Sequence, residues 1–253
     1  MEIAGPSVLV TGAGSGLGEA TARAFAAKGG RVTCLDRAGE KAAQVAASIG
    51  GIAVTADVTS ENEVEAALDA AEAAHGAPRI VVNCAGIGTA GRVLGKTGPL
   101  PLSEFQRTIS VNLVGSFNVL RLATARMDRL DPLEDSERGV IINTASVAAW
   151  DGQIGQAAYA ASKGGIVAMS LPIARELARI GVRVNVIAPG IFLTPLLYNL
   201  PEDAQKSLAA DIPFPARLGL PEEFADSALY LAQARYVNAE VIRLDGAARL
   251  KAK

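Results

Sequence analysis

Along the chain, apolar runs of strand length alternate with longer stretches whose apolar residues recur at helical spacing. Ser7–Val10 reads as a strand and Leu17–Lys28 as a helix. Arg31–Leu35, Ile52–Ala56, Arg79–Val82, Val140–Asn143, Val182–Ile187 and Glu240–Leu244 read as further strands. Glu40–Ile49, Glu61–His75, Ser103–Met127, Gln156–Ile180 and Pro221–Leu231 carry the helical period, with Ser103 standing as the cap of its helix. The strands are continuous Val/Ile/Leu runs, as expected when both faces are covered. Repeated β-α-β order predicts a doubly wound parallel sheet with right-handed crossovers and helices on both faces, an α/β fold. No linker, repeat or low-complexity tract divides residues 1–253, so a single domain is expected. A Gly/Pro-rich loop from Gly86 to Pro101 and a charged loop over Arg129–Arg138 interrupt the pattern. Pro172 falls inside the helix 156–180, where it costs roughly 3 kcal/mol. Helical patterning on both sides predicts a kink there rather than an end.

Composition narrows the function. The chain has 253 residues, 24 Lys+Arg against 26 Asp+Glu, a net charge of −2, and 50% apolar residues. So apolar a chain buries a core and is not disordered. Its near-neutral balance argues against nucleic acid as a partner, since tracking phosphates needs excess Lys and Arg. No apolar run approaches the ~18–20 residues of a membrane span. Strand-like sequence from Ser7 leaves no room for a signal or transit peptide, so a cytoplasmic protein is expected. Cys34 and Cys84, in separate apolar segments, read as buried reduced thiols. The sole histidine, His75, precedes Gly76 at a helix end and reads as a surface residue there. One histidine and two isolated cysteines give no basis for a zinc site, and no G-x-S-x-G elbow supplies a hydrolase serine. The expected chemistry needs no metal.

Thr11-Gly-Ala-Gly-Ser-Gly-Leu-Gly18 follows the first strand and opens the first helix. There backbone N–H groups and the helix dipole face a pyrophosphate, and glycines let the backbone approach it. The spacing is T-G-x-x-x-G-x-G, which places Gly12, Gly16 and Gly18 at the turn. Asp36, ending the second strand, can accept both hydroxyls of an adenosine ribose, favouring NAD over NADP. Tyr159 and Lys163, four apart on one helix, share a face. An ammonium beside a phenol favours the phenolate, as acid/base work requires. Ser146, thirteen residues before Tyr159, follows a strand's C-terminal end, where open parallel sheets bind ligands.

Together these residues resemble the short-chain dehydrogenase/reductase family. The motif at 11–18, Asp57, Asn83-Cys-Ala-Gly86, Asn112, Ser146, Tyr159-x-x-x-Lys163 and Pro189-Gly190 appear in the family's order, over nearly the whole chain. Stretches such as Gly139–Ala149, Gly155–Tyr159, Leu171–Arg175 and Glu240–Ala247 are similar to the family's short-chain 3-hydroxyacyl-CoA dehydrogenases. The resemblance implies a Rossmann-type fold and an NAD-dependent oxidoreductase. It implies that Ser15 and Leu17 line the pyrophosphate turn, Asp57 and Val58 flank the adenine, and Cys84 with Gly86 borders the nicotinamide-side ribose. Phe192 and Thr194 are implied at the nicotinamide. Tyr159 is implied as proton donor, Ser146 as holder of the substrate oxygen, Lys163 as ribose ligand, and Asn112 as support of a water relay through a local helix break. It also implies an acyl-CoA substrate and a homotetramer. A hydroxysteroid or secondary-alcohol dehydrogenase, a 3-oxoacyl-carrier-protein reductase and a non-catalytic NAD-binding scaffold are the alternatives. The apolar segment Gly190–Leu200, with Ile191, Phe192, Leu193, Leu196, Leu197 and Tyr198, is expected to close over the cleft and bury an acyl chain, with Leu193 narrowing the pocket. Arg92 and Lys96 are the candidates for the CoA phosphates.

Overall fold

The computed structural model describes residues 1–194, 197 and 209–252. One parallel sheet runs through it in the order β3-β2-β1-β4-β7-β8-β9. Its strands are β1 (Ser7–Thr11), β2 (Arg31–Asp36), β3 (Ile52–Thr55), β4 (Ile80–Asn83), β7 (Gly139–Thr144), β8 (Val182–Pro189) and β9 (Val241–Leu244). Helices α1 (Gly16–Ala27), α2 (Gly39–Ile49) and α8 (Pro221–Gln233) cover one face. Helices α3 (Glu61–His75), α5 (Gly115–Met127) and α7 (Ala157–Leu177) cover the other. Within the uniformly apolar strands the pleat sorts side chains to alternate faces. Val8, Val10, Ile80 and Val82 pack with Ala22, Phe25, Ala42 and Phe224. Leu9, Val81 and Ile141 pack with Val64, Leu68, Val119, Met127 and Leu177. Each fully buried side chain of this size stabilises by about 1.5–3 kcal/mol relative to exposure.

Strand register brings the future site together. Thr11 lies opposite both Leu35 and Asn83, and Asn83 lies opposite Asn143, so the C-terminal ends of β1, β2, β4 and β7 form one edge. Between β1 and β4 the chain departs to opposite sides, because β1 leads to β2 and β4 leads on to β7. A crevice opens at such a point.

The opposite end of the sheet is closed by a buried ion pair. Arg183, at the start of β8, donates to Glu137 Oε1 at 2.9 Å. Its remaining N–H groups go to the carbonyls of Leu231, Ala232, Ala234 and Val237. The guanidinium thus ties the end of α8 to the sheet.

Several expectations need correction. The helix read as Ser103–Met127 starts at Leu102 after Pro101, and Ser103 makes no cap. It is also three pieces: α4 (Leu102–Ile109), a π-turn over Ser110–Val114, and α5. The N–H of Gly115 reaches back five residues to the Ser110 carbonyl. The Gly/Pro-rich stretch holds a small hairpin, β5 (Leu94–Gly95) with β6 (Gly98–Pro99). A one-turn helix, α6 (Ala148–Asp151), follows β7 and was not legible in the sequence. Helix α7 continues through Pro172 to Leu177, then tightens into a 3₁₀ turn at Ala178–Ile180. His75 ends α3 as read, but half-buried rather than on the surface. Among the described residues no helix is long and apolar enough to cross a membrane.

Candidate active site

The crevice between β1 and β4 is a cleft of about 430 Å³. The glycine turn forms one wall. Gly12 has φ +65°, and a Cβ there would sit 2.8 Å from the Ala85 backbone nitrogen. A Cβ on Gly18 would lie 2.2 Å from the Gly12 carbonyl oxygen. Only bare backbone fits this packing. Ser15 precedes α1 without a side-chain cap, so the first-turn N–H groups stay open to the cleft. Thr11 Oγ1 accepts from the Ala85 N–H at 3.1 Å, pinning the loop after β4 against the turn. Asp36 closes the far end, its Oδ2 accepting from Gly14 N–H at 2.9 Å and its Oδ1 from Ala38 N–H at 2.8 Å. Each oxygen keeps a lone pair for a further donor. Asp57 Oδ1 accepts from the N–H and hydroxyl of Thr59, which holds its carboxyl below the usual carboxylate range. Gly12, Ser15, Gly16, Leu17, Gly18, Asp36, Asp57, Val58, Cys84, Gly86 and Thr194 all line the cleft, so the structure brings these expected residues together. A turn of bare amides, an open helix N-terminus and an acid at the rim fit a dinucleotide.

Phe192 departs from that set. Its ring is buried in the core and packs on Gly219, where a Cβ would lie 2.8 Å from it. Its side chain therefore faces away from the cleft. Arg37 and Arg107 also line the cleft, and Arg107 was missed because an isolated arginine on a helix carries no sequence signal.

The second cluster stands on β7 and α7. Lys163 is buried, lies 5.8 Å from the Tyr159 ring centroid, and donates to the Thr144 carbonyl at 2.8 Å. Burial pushes its ammonium down to about 8. Tyr159 is raised above its ordinary value by burial, with the Ser146 hydroxyl pulling the other way. Burial and the Ser146 hydroxyl, not Lys163, set the direction at Tyr159, and the Lys163 ammonium is engaged by the Thr144 carbonyl. Ser146 is itself held by the Ala148 N–H at 3.1 Å. Asn112 sits in the π-turn, fully buried, its Oδ1 accepting from Ile87 N–H at 2.8 Å and its Nδ2 donating to Ile87 O and Ser162 Oγ. The helix break expected around Asn112 is therefore present. Cys84 is a free thiol beside Thr144, pushed up to about 11 by burial.

The profile of the short chain dehydrogenase family matches residues 6–205. The chain belongs to the short chain dehydrogenases. As such it is an oxidoreductase that works with a nicotinamide cofactor. It is 48% identical to 3-hydroxyacyl-CoA dehydrogenase type-2 of Bos taurus, over 98% of this chain and 97% of that protein. The protein of that name from Drosophila melanogaster is 50% identical, over 96% of each chain. The crystal structure of 3-hydroxyacyl-CoA dehydrogenase type-2 from Mycobacterium avium superposes with a TM-score of 0.95 at 44% identity, covering 98% of both chains.

On the substrate side expected beside Ser146 and Tyr159, the expectations divide. Arg92 and Lys96 are exposed on the hairpin loop. Ile191, Leu193 and Leu197 pack against Ile212, Leu218 and Ala248, so these three anchor the segment instead of lining the cleft. Leu196, Tyr198 and Leu200 lie outside the described residues.

Proposed function

We propose that this short chain dehydrogenase is an NAD-dependent 3-hydroxyacyl-CoA dehydrogenase, interconverting the 3-hydroxyl and 3-keto groups of an acyl-CoA. The observation that carries this reading is the Ser146–Tyr159–Lys163 cluster beside a glycine-walled cleft that Asp36 also lines, Lys163 Nζ standing 3.7 Å from where a Cβ on the cleft-lining Gly86 would lie, in a chain 48% identical over 98% of its length to a protein of that name. NAD, when bound, supplies the hydride acceptor for the carbon that bears the hydroxyl.

The chain's own residues do the rest. Gly12, Ser15, Gly16, Leu17 and Gly18 present backbone N–H groups to the pyrophosphate. Asp36 accepts from the adenosine ribose, Asp57 and Val58 flank the adenine, and Cys84 and Gly86 border the second ribose. Thr194 and the backbone, not the ring, of Phe192 face the nicotinamide. Ser146 donates a hydrogen bond to the substrate oxygen. Tyr159 gives its proton to that oxygen in reduction and takes it back in oxidation. A phenol raised by burial is a neutral donor, which suits the reductive direction. Lys163 holds the nicotinamide ribose and favours the phenolate when Tyr159 must accept. Asn112 fixes the π-turn beside them. The reading further takes the protein as one cytoplasmic domain that assembles as a homotetramer and acts on a small molecule, without nucleic acid or membrane.

The test is NADH oxidation by the purified protein with acetoacetyl-CoA and longer 3-oxoacyl-CoA esters, with a steroid and a polyol alongside. Each buried methylene is worth ~0.8 kcal/mol, so kcat/KM is expected to rise about fourfold per carbon until the pocket is full. A flat response with the polyol preferred would defeat the acyl-CoA assignment. Repeating the assay with NADPH tests Asp36. A 2′-phosphate ~5 Å from its carboxylate at an effective dielectric of ~20 is repelled by on the order of 3 kcal/mol, about two decades in affinity. A 3-oxoacyl-carrier-protein reductase that prefers NADPH would show the reverse.

A further inference from the structure

We infer that Arg107, on α4, is a dinucleotide-binding residue whose guanidinium closes over the outer face of the pyrophosphate. The inference rests on the dinucleotide reading of the cleft and goes beyond it by assigning the second wall. The glycine turn and the N-terminus of α1 offer the pyrophosphate amide dipoles from one side only. The cleft is also lined by Gly86 and Ile87 of the loop after β4 and by Val111 of the π-turn, with Arg107 one helical turn before Val111.

The charges of the cleft lining leave Arg107 conspicuous. Asp36 is held by two backbone N–H groups, and Asp57 by Thr59. Arg37 acts electrostatically on Asp57, so part of its charge is already answered. Arg107 is exposed, and among the described residues its guanidinium has no ion pair and no hydrogen bond. An unpaired guanidinium at the mouth of a cleft that binds a doubly charged pyrophosphate has the fork geometry to take two phosphate oxygens at once. The local fold directs it there. Asn112 binds both the N–H and the carbonyl of Ile87, which locks the π-turn to the loop after β4 and fixes the approach of α4 to the cleft.

Four proteins and three probes test this: the wild type, Arg107→Gln, Arg107→Lys and, as a control, Arg179→Gln, each titrated with NADH, ADP-ribose and adenosine by fluorescence or calorimetry. Arg107→Gln is expected to raise Kd for NADH and ADP-ribose about tenfold at low salt, the loss of one charge-assisted contact. Adenosine, which lacks the phosphates, is expected to bind both proteins alike. Arg107→Lys should recover part of the loss, because the charge returns without the fork. The gap should narrow in high salt, where the Debye length falls to about 3 Å at 1 M. Arg179→Gln, in the exposed 3₁₀ turn after α7, should bind all three probes as the wild type does. Because Arg107 makes no side-chain bond among the described residues, the melting temperature should not move, which separates lost binding from lost folding. Equal Kd values in wild type and Arg107→Gln, or an equal loss for adenosine, would overturn the inference while leaving the dinucleotide reading intact. A wild type that binds neither NADH nor ADP-ribose would overturn both.

Discussion

At the scale of single residues, the site couples two titrating side chains that burial drives in opposite directions. Tyr159 is held as the phenol and Lys163 is driven toward the free amine. Replacing Tyr159 by Phe removes the proton donor and is expected to lower kcat by about 10²–10⁴-fold while NADH binding changes little; turnover near the wild-type rate would remove Tyr159 from the chemistry. Lys163 gives a separate signature in stability. Its ordinary value is 10.5 and its folded value about 8, so between these pH values the unfolded chain binds the proton and the folded one does not. Stability from this group therefore rises with pH across that window and is lost as pH falls through about 8. Relative to Lys163→Met, the free wild type should gain on the order of 3 kcal/mol in urea unfolding between pH 8 and 10.5. Cys84 titrates in both proteins, so parallel curves would mean that the buried ammonium carries no such cost. The residues carrying this chemistry were legible because their spacing is itself the signal: four along a helix for Tyr159 and Lys163. Phe192 was not, because sequence gives a residue's place along a loop but not the side to which its ring turns. The bridge from Phe192 to Gly219 decides that, and the two residues are far apart in the chain.

At the scale of elements, the boundaries that sequence could supply were those with chemistry at both ends. Helix α3 runs from Ser60, whose hydroxyl accepts from the Glu63 N–H, to Gly76 at φ +79°. Both signals stand in the sequence, and the element matches its reading residue for residue. The α4–α5 region shows the converse. A 25-residue apolar period tolerates one extra residue in a turn, so the π-turn left no trace in the pattern, and Ser103 looked like a cap only because Pro101 was assigned to the loop. The glycine turn is the element most exposed to single changes. Gly12→Ala would force a left-handed backbone on alanine and set its Cβ 2.8 Å from the Ala85 nitrogen. The expected cost is about 1–3 kcal/mol in unfolding free energy, together with a large loss of NADH affinity measured by titration. Unchanged affinity would show that the turn does not meet the pyrophosphate.

Across the whole molecule, stability and chemistry sit at opposite ends of the sheet. Glu137 and Arg183 pair beneath the strands, far along β7 and β8 from Ser146 and Tyr159. Glu137→Gln leaves the guanidinium without its counter-charge and is expected to cost about 3–5 kcal/mol in urea unfolding. The kcat of the folded fraction should stay near wild type, and a kcat that fell with stability would show that the two ends communicate. The doubly wound order was readable throughout, since β-α-β alternation with right-handed crossovers permits few arrangements. What joins the sheet to its active edge was not readable from the apolar period, and the π-turn, expected only through the family resemblance at Asn112, is the clearest case. An α-helix turns about 100° per residue, so the inserted residue acts as a screw setting between the two halves of one rod. Deleting Val111 would let α4 and α5 run together as an uninterrupted, better bonded helix. It would also rotate everything before it by a quarter-turn or more, carrying Arg107 off the cleft mouth and releasing Ile87 from the asparagine that holds it. A sturdier rod would then be the visible sign of a protein that had lost its grip on the nucleotide.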